Sequence, residues 1–366
     1  MTRVCLNMIV KNEAHVIERC LRSVLPFVDS WVIVDTGSTD GTQALIRRIM
    51  QGVPGELYER PWKNFGHNRS EALDLAREHG DYLFMIDADE VLMLPPSYRR
   101  PALTAPVYAL DVDYAELRYA RVCLIDARLP WRWMGVLHEY LDCGQPLPSQ
   151  RLPEAVVRVF PDGARSQQGA AQKFAADAAV LEKALVEEPD NERYVFYLAQ
   201  SYRDAGQLER ALQRYDQRAA MGRWIEEVWY SRQAAALIAE SLSHDANVVI
   251  GRFLGAYETR PERGGETLGQ LARYCRLRQQ YASARLFAER AMAIAKPSDL
   301  LFVEPGWYDW RCQDEYAIAS YWTGHYEDCR RVCDALLAGS ALPETERSRV
   351  IENRRFALER LAERTA

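Results

Sequence analysis

Along the first 95 residues, short apolar runs alternate with stretches whose apolar positions recur every three or four residues. "VCLNMIV" (4–10) precedes "EAHVIERCLRSVL" (13–25), "SWVIVD" (30–35) precedes "GTQALIRRIM" (41–50), and "RSEALDLAREHG" (69–80) leads into "YLFMID" (82–87). The short runs show little period-two alternation, which predicts strands covered on both faces. The β-α-β-α order predicts a parallel sheet flanked by helices over residues 1–150.

Beyond residue 166 the pattern changes. Strand signals fade, and Ala, Leu, Arg, Glu and Tyr recur at helical spacing. In "RYVFYLAQSYRDAGQLERALQRYDQRA", with Val195 as position 4, Leu198, Ala199, Tyr202, Gly206, Ala211 and Tyr215 fall at positions 7, 8, 11, 15, 20 and 24. That spacing is close to the 34-residue tetratricopeptide pattern. Leu271, Ala272, Cys275, Ala284, Ala288 and Ala291 repeat it, "DEYAIASYWTGHYEDCRRVCDALL" is a looser copy, and 224–263 reads as a degenerate one. Helix pairs of this kind stack because each has an apolar side it cannot bury alone. The expected organisation is therefore an α/β domain over 1–150, a Pro-, Gly- and Gln-rich linker over 151–168, and an all-α repeat domain over 169–366.

Composition narrows the function. A net charge of −6 argues against broad binding to a nucleic-acid backbone. The apolar runs fall short of the ~20 residues that span a bilayer. The N-terminus reads as a strand, without the apolar region and cleavage site of a signal peptide. Eight scattered cysteines with no C-x-x-C pair point to free thiols and a reducing, cytoplasmic compartment.

Candidate chemistry lies at the carboxyl ends of the strands, where parallel α/β sheets bind ligands. The first strand ends in Asn12 and Glu13, the second in "VDTGSTDGT" with Asp35, Ser38 and Asp40, and a later one in "IDADE". In extended chain Asp87 and Asp89 project to one side about 7 Å apart. Two such carboxylates suit Mg²⁺ or Mn²⁺, whose shell is completed by substrate phosphates. The bland alternative is a solvated acidic turn. In "LPWRWMGVLHEYL", His138 is a candidate further metal ligand and Glu139 a candidate base, although Glu139 could equally orient His138 or face solvent.

"MIVKNEAHVIERCLRSVLPFVDSWVIVDTGSTDGT" and "FMIDADEVL" resemble the family-2 glycosyltransferases of the GT-A fold. "FGHNRSEAL" and "WRWMGVLHEYL" are similar to the branch with lipopolysaccharide-core β-glucosyltransferases and peptide S-glycosyltransferases, some of which carry C-terminal tetratricopeptide repeats. The resemblance covers residues 1–145. It implies that Asp35 contacts the uracil of a UDP-sugar and that Val10, Asn12 and Glu13 line the nucleotide pocket. It further places Asn68 and Arg69 near uracil or diphosphate, and Asp87, with Ala88 after it, at the ribose. Asp89 would ligate the metal, with His138 as a second ligand. Glu139 stands where many members have a Glu-Asp pair holding the base. The implied reaction is an inverting, Mn²⁺- or Mg²⁺-dependent transfer from a UDP-sugar to a peptide, protein or glycan acceptor. Tyr197, Tyr202 and Arg203 are candidates for an acceptor surface on the repeats, with Tyr202 at a packing position and Arg203 facing outward. The repeats are also a candidate homodimer surface. Two rival readings are a non-catalytic repeat scaffold and an aspartyl-nucleophile phosphatase, whose D-x-D-x-V motif "DADEV" matches but belongs on a first strand.

Overall fold

The computed structural model describes residues 2–114, 117–164, 169–299 and 301–365. The chain divides into two compact units, Met1–Pro189 and Asp190–Ala366.

The first unit is built on an eight-stranded mixed sheet. Its strands are β1 (Val4–Val10), β2 (Ser30–Asp35), β3 (Gly55–Glu59), β4 (Tyr82–Met85), β5 (Glu90–Met93), β6 (Val107–Tyr114), β7 (Leu117–Asp126) and, after a small β8 (Arg132–Met134)–β9 (Tyr140–Asp142) ribbon, β10 (Ser149–Val159). The order is β3-β2-β1-β4-β7-β6-β10-β5. β3, β2, β1 and β4 are parallel, as the sequence pattern predicts. From β7 onward the sheet becomes mixed: β7 runs antiparallel to β4 and β6, and β10 is parallel to β6.

Successive residues of β1 divide between the two faces. Leu6, Met8 and Val10 join the core under α1 (Ile17–Val24) and α2 (Thr42–Ile49), whereas Cys5, Val32, Leu83 and Met85 pack with Leu73 and Ala76 of α3 (Phe65–Ala76). Both faces are covered, which is why these strands show no polar alternation. Val10 pairs with Asp35, so β1 and β2 end level.

Residues 151–168, expected as a linker, instead contain most of β10, in which Leu152, Ala155 and Val157 are buried. Pro153 and a register shift between Arg151 and Val156 hide its alternation. The following helix, α4 (Ala170–Glu187), also belongs to the first unit.

The second unit is all α. Its helices are α5 (Glu192–Asp204), α6 (Leu208–Met221), α7 (Ile225–Ser241), α8 (Ala246–Thr259), α9 (Gly264–Leu277), α10 (Tyr281–Met292), α11 (Cys312–Trp322), α12 (Tyr326–Ala338) and α13 (Glu344–Thr365), each packed on the next. Gly206 turns the chain between α5 and α6 with φ 78°, a left-handed conformation that favours glycine. Ala199, Ala211, Ala272, Ala284, Ala288 and Ala291 are buried, as the repeat spacing requires, and their small side chains let adjacent helices close. The degenerate stretch 224–263 forms the α7–α8 pair. Arg203 does not simply face outward: it is half-buried, donating to the Tyr230 hydroxyl at 2.8 Å and pairing with Asp204.

Arg263 is fully buried at the start of α9. It makes a fork on Glu266 at 2.9 and 3.1 Å, donates to the carbonyls of Leu301 and Phe302, and lies 3.8 Å over the Trp229 ring. It thereby pins the segment after α10 to α7 and α9. Arg263→Ala strands Glu266 in the interior and removes the donors of both carbonyls. The expected loss is about 3–5 kcal/mol of stability, read by urea titration with circular dichroism; a loss below 1 kcal/mol would show that the segment is held by other contacts.

Candidate active site

The three strand ends converge on one cavity of about 540 Å³. Val10, Asn12, Glu13, Arg69, Asp87, Ala88 and Asp89 line it; Asp35, Asn68, His138 and Glu139 do not. Further lining comes from Trp62–Phe65, Gly163, Ala164 and, on α4, Lys173, Ala176, Asp177 and Val180.

The loop after β2 explains the "VDTGSTDGT" motif. Asp35 is completely buried, and its Oδ1 accepts the N–H groups of Gly37 and Ser38 at 2.9 and 2.8 Å. Its Oδ2 has no hydrogen-bond partner. Asn12, held left-handed at φ 57°, donates its backbone N–H to Ser38 Oγ and accepts the Thr39 N–H, both at 2.8 Å. Asp40 accepts the Ala14 and Thr42 N–H groups, which ties α2 to the end of β1. The polar loop is therefore a clasp that fixes the first two strand ends against each other. Glu13 enters the cavity and accepts the Ala164 N–H at 3.1 Å; burial pushes its carboxyl above the usual range.

At the third strand end the carboxylates take separate roles. Glu90 is buried in a fork from Arg121 at 2.6 and 2.7 Å, and accepts the Asp87 N–H. It is structural, which the sequence did not distinguish. Asp87 receives Arg69 at 2.7 Å. Burial raises its carboxyl, but Arg69 and Arg121 outweigh that effect and hold it below the usual range. Asp89 has neither cation. Burial and the charges of Asp87 and Glu90 push it up to about 6. Gly163 lies against it, so that a Cβ there would sit 2.9 Å from Asp89 Oδ2.

This donor set suits a divalent cation: hard oxygens, one carboxylate in surplus negative charge, and room beside it for phosphate oxygens. Among the described residues no three His, Cys, Asp or Glu side chains gather as a ready-made metal site. His138, exposed and left-handed at φ 51°, is not brought to Asp87 and Asp89, contrary to its expected role as a second ligand.

α3 carries two of the expected contacts. Asn68 is buried, accepting the Lys63 N–H and donating to the Pro61 carbonyl. It shapes the 61–65 wall and does not face the cavity. Arg69 joins Asp87 to Glu139, whose Oε1 lies 2.8 Å from its Nε without hydrogen-bond alignment, and stacks 5.2 Å from the Trp133 ring. Glu139, the candidate base, is thus held against Arg69 and does not itself line the cavity. No sequence pattern marks Arg121, which looks like an ordinary strand residue, or Gly163. Lys173, Asp177 and Val180 share one helical face and could have been found from that spacing.

Residues 5–94 match the family model Glycosyl transferase family 2. A TPR repeat-containing protein of Synechococcus elongatus is 27% identical over 277 residues, covering 70% of this chain and 66% of that protein. The lipopolysaccharide core biosynthesis glycosyltransferase LpsC of Rhizobium meliloti is 35% identical over 86 residues, 23% of this chain and 31% of LpsC. A tetratricopeptide repeat protein from Parabacteroides merdae superposes with a TM-score of 0.38 at 16% identity, covering 52% of this chain and 68% of that one. The chain thus spans just under two thirds of the first relative and less than a third of LpsC. Its N-terminal unit carries a family-2 glycosyltransferase domain of the GT-A type, and a tetratricopeptide-like helical domain follows. The D-x-D motif follows β4, not a first strand, which removes the match to aspartyl-nucleophile phosphatases. No helix among the described residues is long and apolar enough to cross a membrane.

α3 and the 132–139 segment touch at a glycine pair: a Cβ on Gly66 would lie 2.1 Å from the Gly135 carbonyl oxygen. Gly66→Ala must therefore push the segment off the helix and break the Arg69–Glu139 pair. The expected cost is about 1–3 kcal/mol with a shifted Trp133 emission. Unchanged stability and fluorescence would show that the glycine contact does not set this geometry.

Proposed function

We propose that the protein is an inverting glycosyltransferase that moves a sugar from a UDP-sugar to a peptide, protein or glycan acceptor, using Mn²⁺ or Mg²⁺. The observation that carries this reading is the cavity in which Asp87 and Asp89 face Lys63 and Arg69 at the ends of β1 and β4. Basic side chains beside a surplus carboxylate suit a diphosphate that arrives with its cation.

Asp89, with Asp87 beside it, would hold the cation, which when bound offsets negative charge growing on the leaving diphosphate. Arg69 keeps Asp87 ionised and oriented. Trp62 and Phe65, in edge contact at 4.7 Å, give the cavity an aromatic flank for the base or sugar. Asp35 Oδ2 is a buried acceptor without a partner, and Thr36, next in the chain, lines the cavity. Leaving that oxygen unpaired costs about 1–3 kcal/mol, and the uridine assignment rests on the resemblance at Asp35 with Thr36 at the cavity. The cytoplasm suits a chain whose eight cysteines are all free and buried. A homodimer through the helical repeats remains part of this proposal.

Two measurements test it. Calorimetry in Mn²⁺ should rank UDP above GDP and TDP; tighter binding of GDP would remove the uridine assignment. Asp89→Ala should abolish transfer and make UDP affinity nearly insensitive to Mn²⁺. Wild-type turnover by Asp89→Ala in Mn²⁺ would refute the metal role.

A further inference from the structure

Asp89 is bordered by a piece of chain that none of the donor motifs contains. β10 pairs with β5 through Val159 and Glu90, which brings the residues after Val159 alongside Asp89. The Phe160 N–H donates to the Asp89 carbonyl at 2.9 Å. Gly163 lies against the Asp89 carboxylate, where a Cβ would stand 2.9 Å from Oδ2. The Ala164 N–H donates to Glu13 Oε2 at 3.1 Å. Gly163 and Ala164 also line the cavity. This segment, 160–164, is a turn with no ladder of its own. Its hold comes from α1 and the residues just before it. Arg19 forks onto the Asp162 carboxylate at 2.7 and 3.0 Å, and its guanidinium lies 4.3 Å from the centre of the Phe160 ring. His15 Nε2 is 2.7 Å from the Asp162 carbonyl oxygen. One guanidinium thus engages residues 160 and 162, and residue 163 is the one set on Asp89.

Resting on the transferase reading above, we infer that Arg19 is a positioning residue for the divalent cation. Through Asp162 it holds Gly163 and Ala164 against Asp89 and Glu13, and so fixes the direction in which the Asp89 carboxylate meets the metal. Two observations separate this role from plain support of the fold. The Arg19 and Asp162 side chains keep 37% and 48% of their surface exposed, and ion pairs that exposed add little to stability. Their two-pronged geometry instead sets orientation. Neither residue lines the cavity, so removing either takes no group away from a bound donor. Any effect on the cation must therefore pass through the 160–164 turn. Groups that orient a metal-binding carboxylate from behind commonly control affinity for the metal. Residue 163 must be glycine for the turn to lie this close, since a side chain there would displace Asp89 Oδ2.

The test reads metal affinity directly on the full chain, by titrating Mn²⁺ in the presence of UDP and following free Mn²⁺ by electron paramagnetic resonance. Arg19→Ala should weaken Mn²⁺ binding about 10–100-fold. Its thermal midpoint, and its UDP affinity by calorimetry at saturating Mn²⁺, should stay close to wild type. Asp162→Asn should match it, and the double variant should be no weaker than either single one, because both break the same link. Arg19→Lys keeps the charge but not the fork, and should restore only part of the affinity. Gly163→Ala reaches Asp89 by an independent route and should weaken Mn²⁺ in the same direction. Wild-type Mn²⁺ affinity in Arg19→Ala, losses that add in the double variant, or a loss matched by a lowered thermal midpoint each overturns the role of Arg19 while leaving the transferase reading standing. Failure of the wild type to bind Mn²⁺ in the presence of UDP would overturn the metal-dependent reading itself, and the role of Arg19 with it.

Discussion

The site depends on how negative charge is divided at the turn after β4. Asp87, Asp89 and Glu90 fall within four residues, and unit charges about 4 Å apart at an effective dielectric near 20 repel by about 4 kcal/mol. The fold separates them by giving each a different partner. Glu90 is buried in the Arg121 fork, Asp87 takes Arg69, and Asp89 is left facing the cavity with its carboxyl pushed up to about 6. β7 is needed to deliver Arg121 and α3 to deliver Arg69. The turn is thus a charge imbalance that the sheet and one helix hold in place, and a cation with a diphosphate is the ligand that would complete it.

Much of this was legible in the chain, and the legible parts share a cause. Strand ends in parallel sheets are fixed by hydrogen bonding in register, so Asn12, Asp35 and Asp87 could be placed together from strand order alone. Roles were harder to read than places. Asp35 and Asn68 occur where a ligand-contacting residue would, yet Asn68 spends its amide on Pro61 and Lys63, and half of Asp35 is used on Gly37 and Ser38. A sequence shows that a polar residue stands at a strand end. It does not show whether backbone donors within the loop will claim it first. His138 and Glu139 are a related case: His138 is itself left-handed, at φ 51°, which no pattern announces.

The helical unit was easier, because repeat spacing carries its own phase. Buried alanines sit where the spacing requires them, and even the degenerate pair folded as expected. What the pattern could not supply is the interior electrostatics. Arg218 pairs with Glu227 at 2.9 Å and Arg263 with Glu266 at 2.9 Å, all nearly or fully buried. These replace apolar contacts that an idealised repeat would have, and they fasten segments that depart from the repeat. Arg203 belongs to the same behaviour, half-buried against Tyr230 where spacing alone would leave it in solvent.

The boundary between the halves carries the most mechanistic weight. By composition α4 belongs with the repeats, since it is helical, Ala-rich and follows a Pro- and Gly-rich stretch. It nonetheless falls within the first unit, and Lys173, Ala176, Asp177 and Val180 of it border the cavity. The two kinds of wall differ physically. Strand ends are held on both sides by ladders and by the Asn12–Ser38 clasp, which suits them to a donor whose reacting atoms must be fixed within fractions of an ångström. The face of a helix offers side chains only. The sheet and its clasp thus fix one side of the cavity through backbone contacts, and α4 contributes side chains to another.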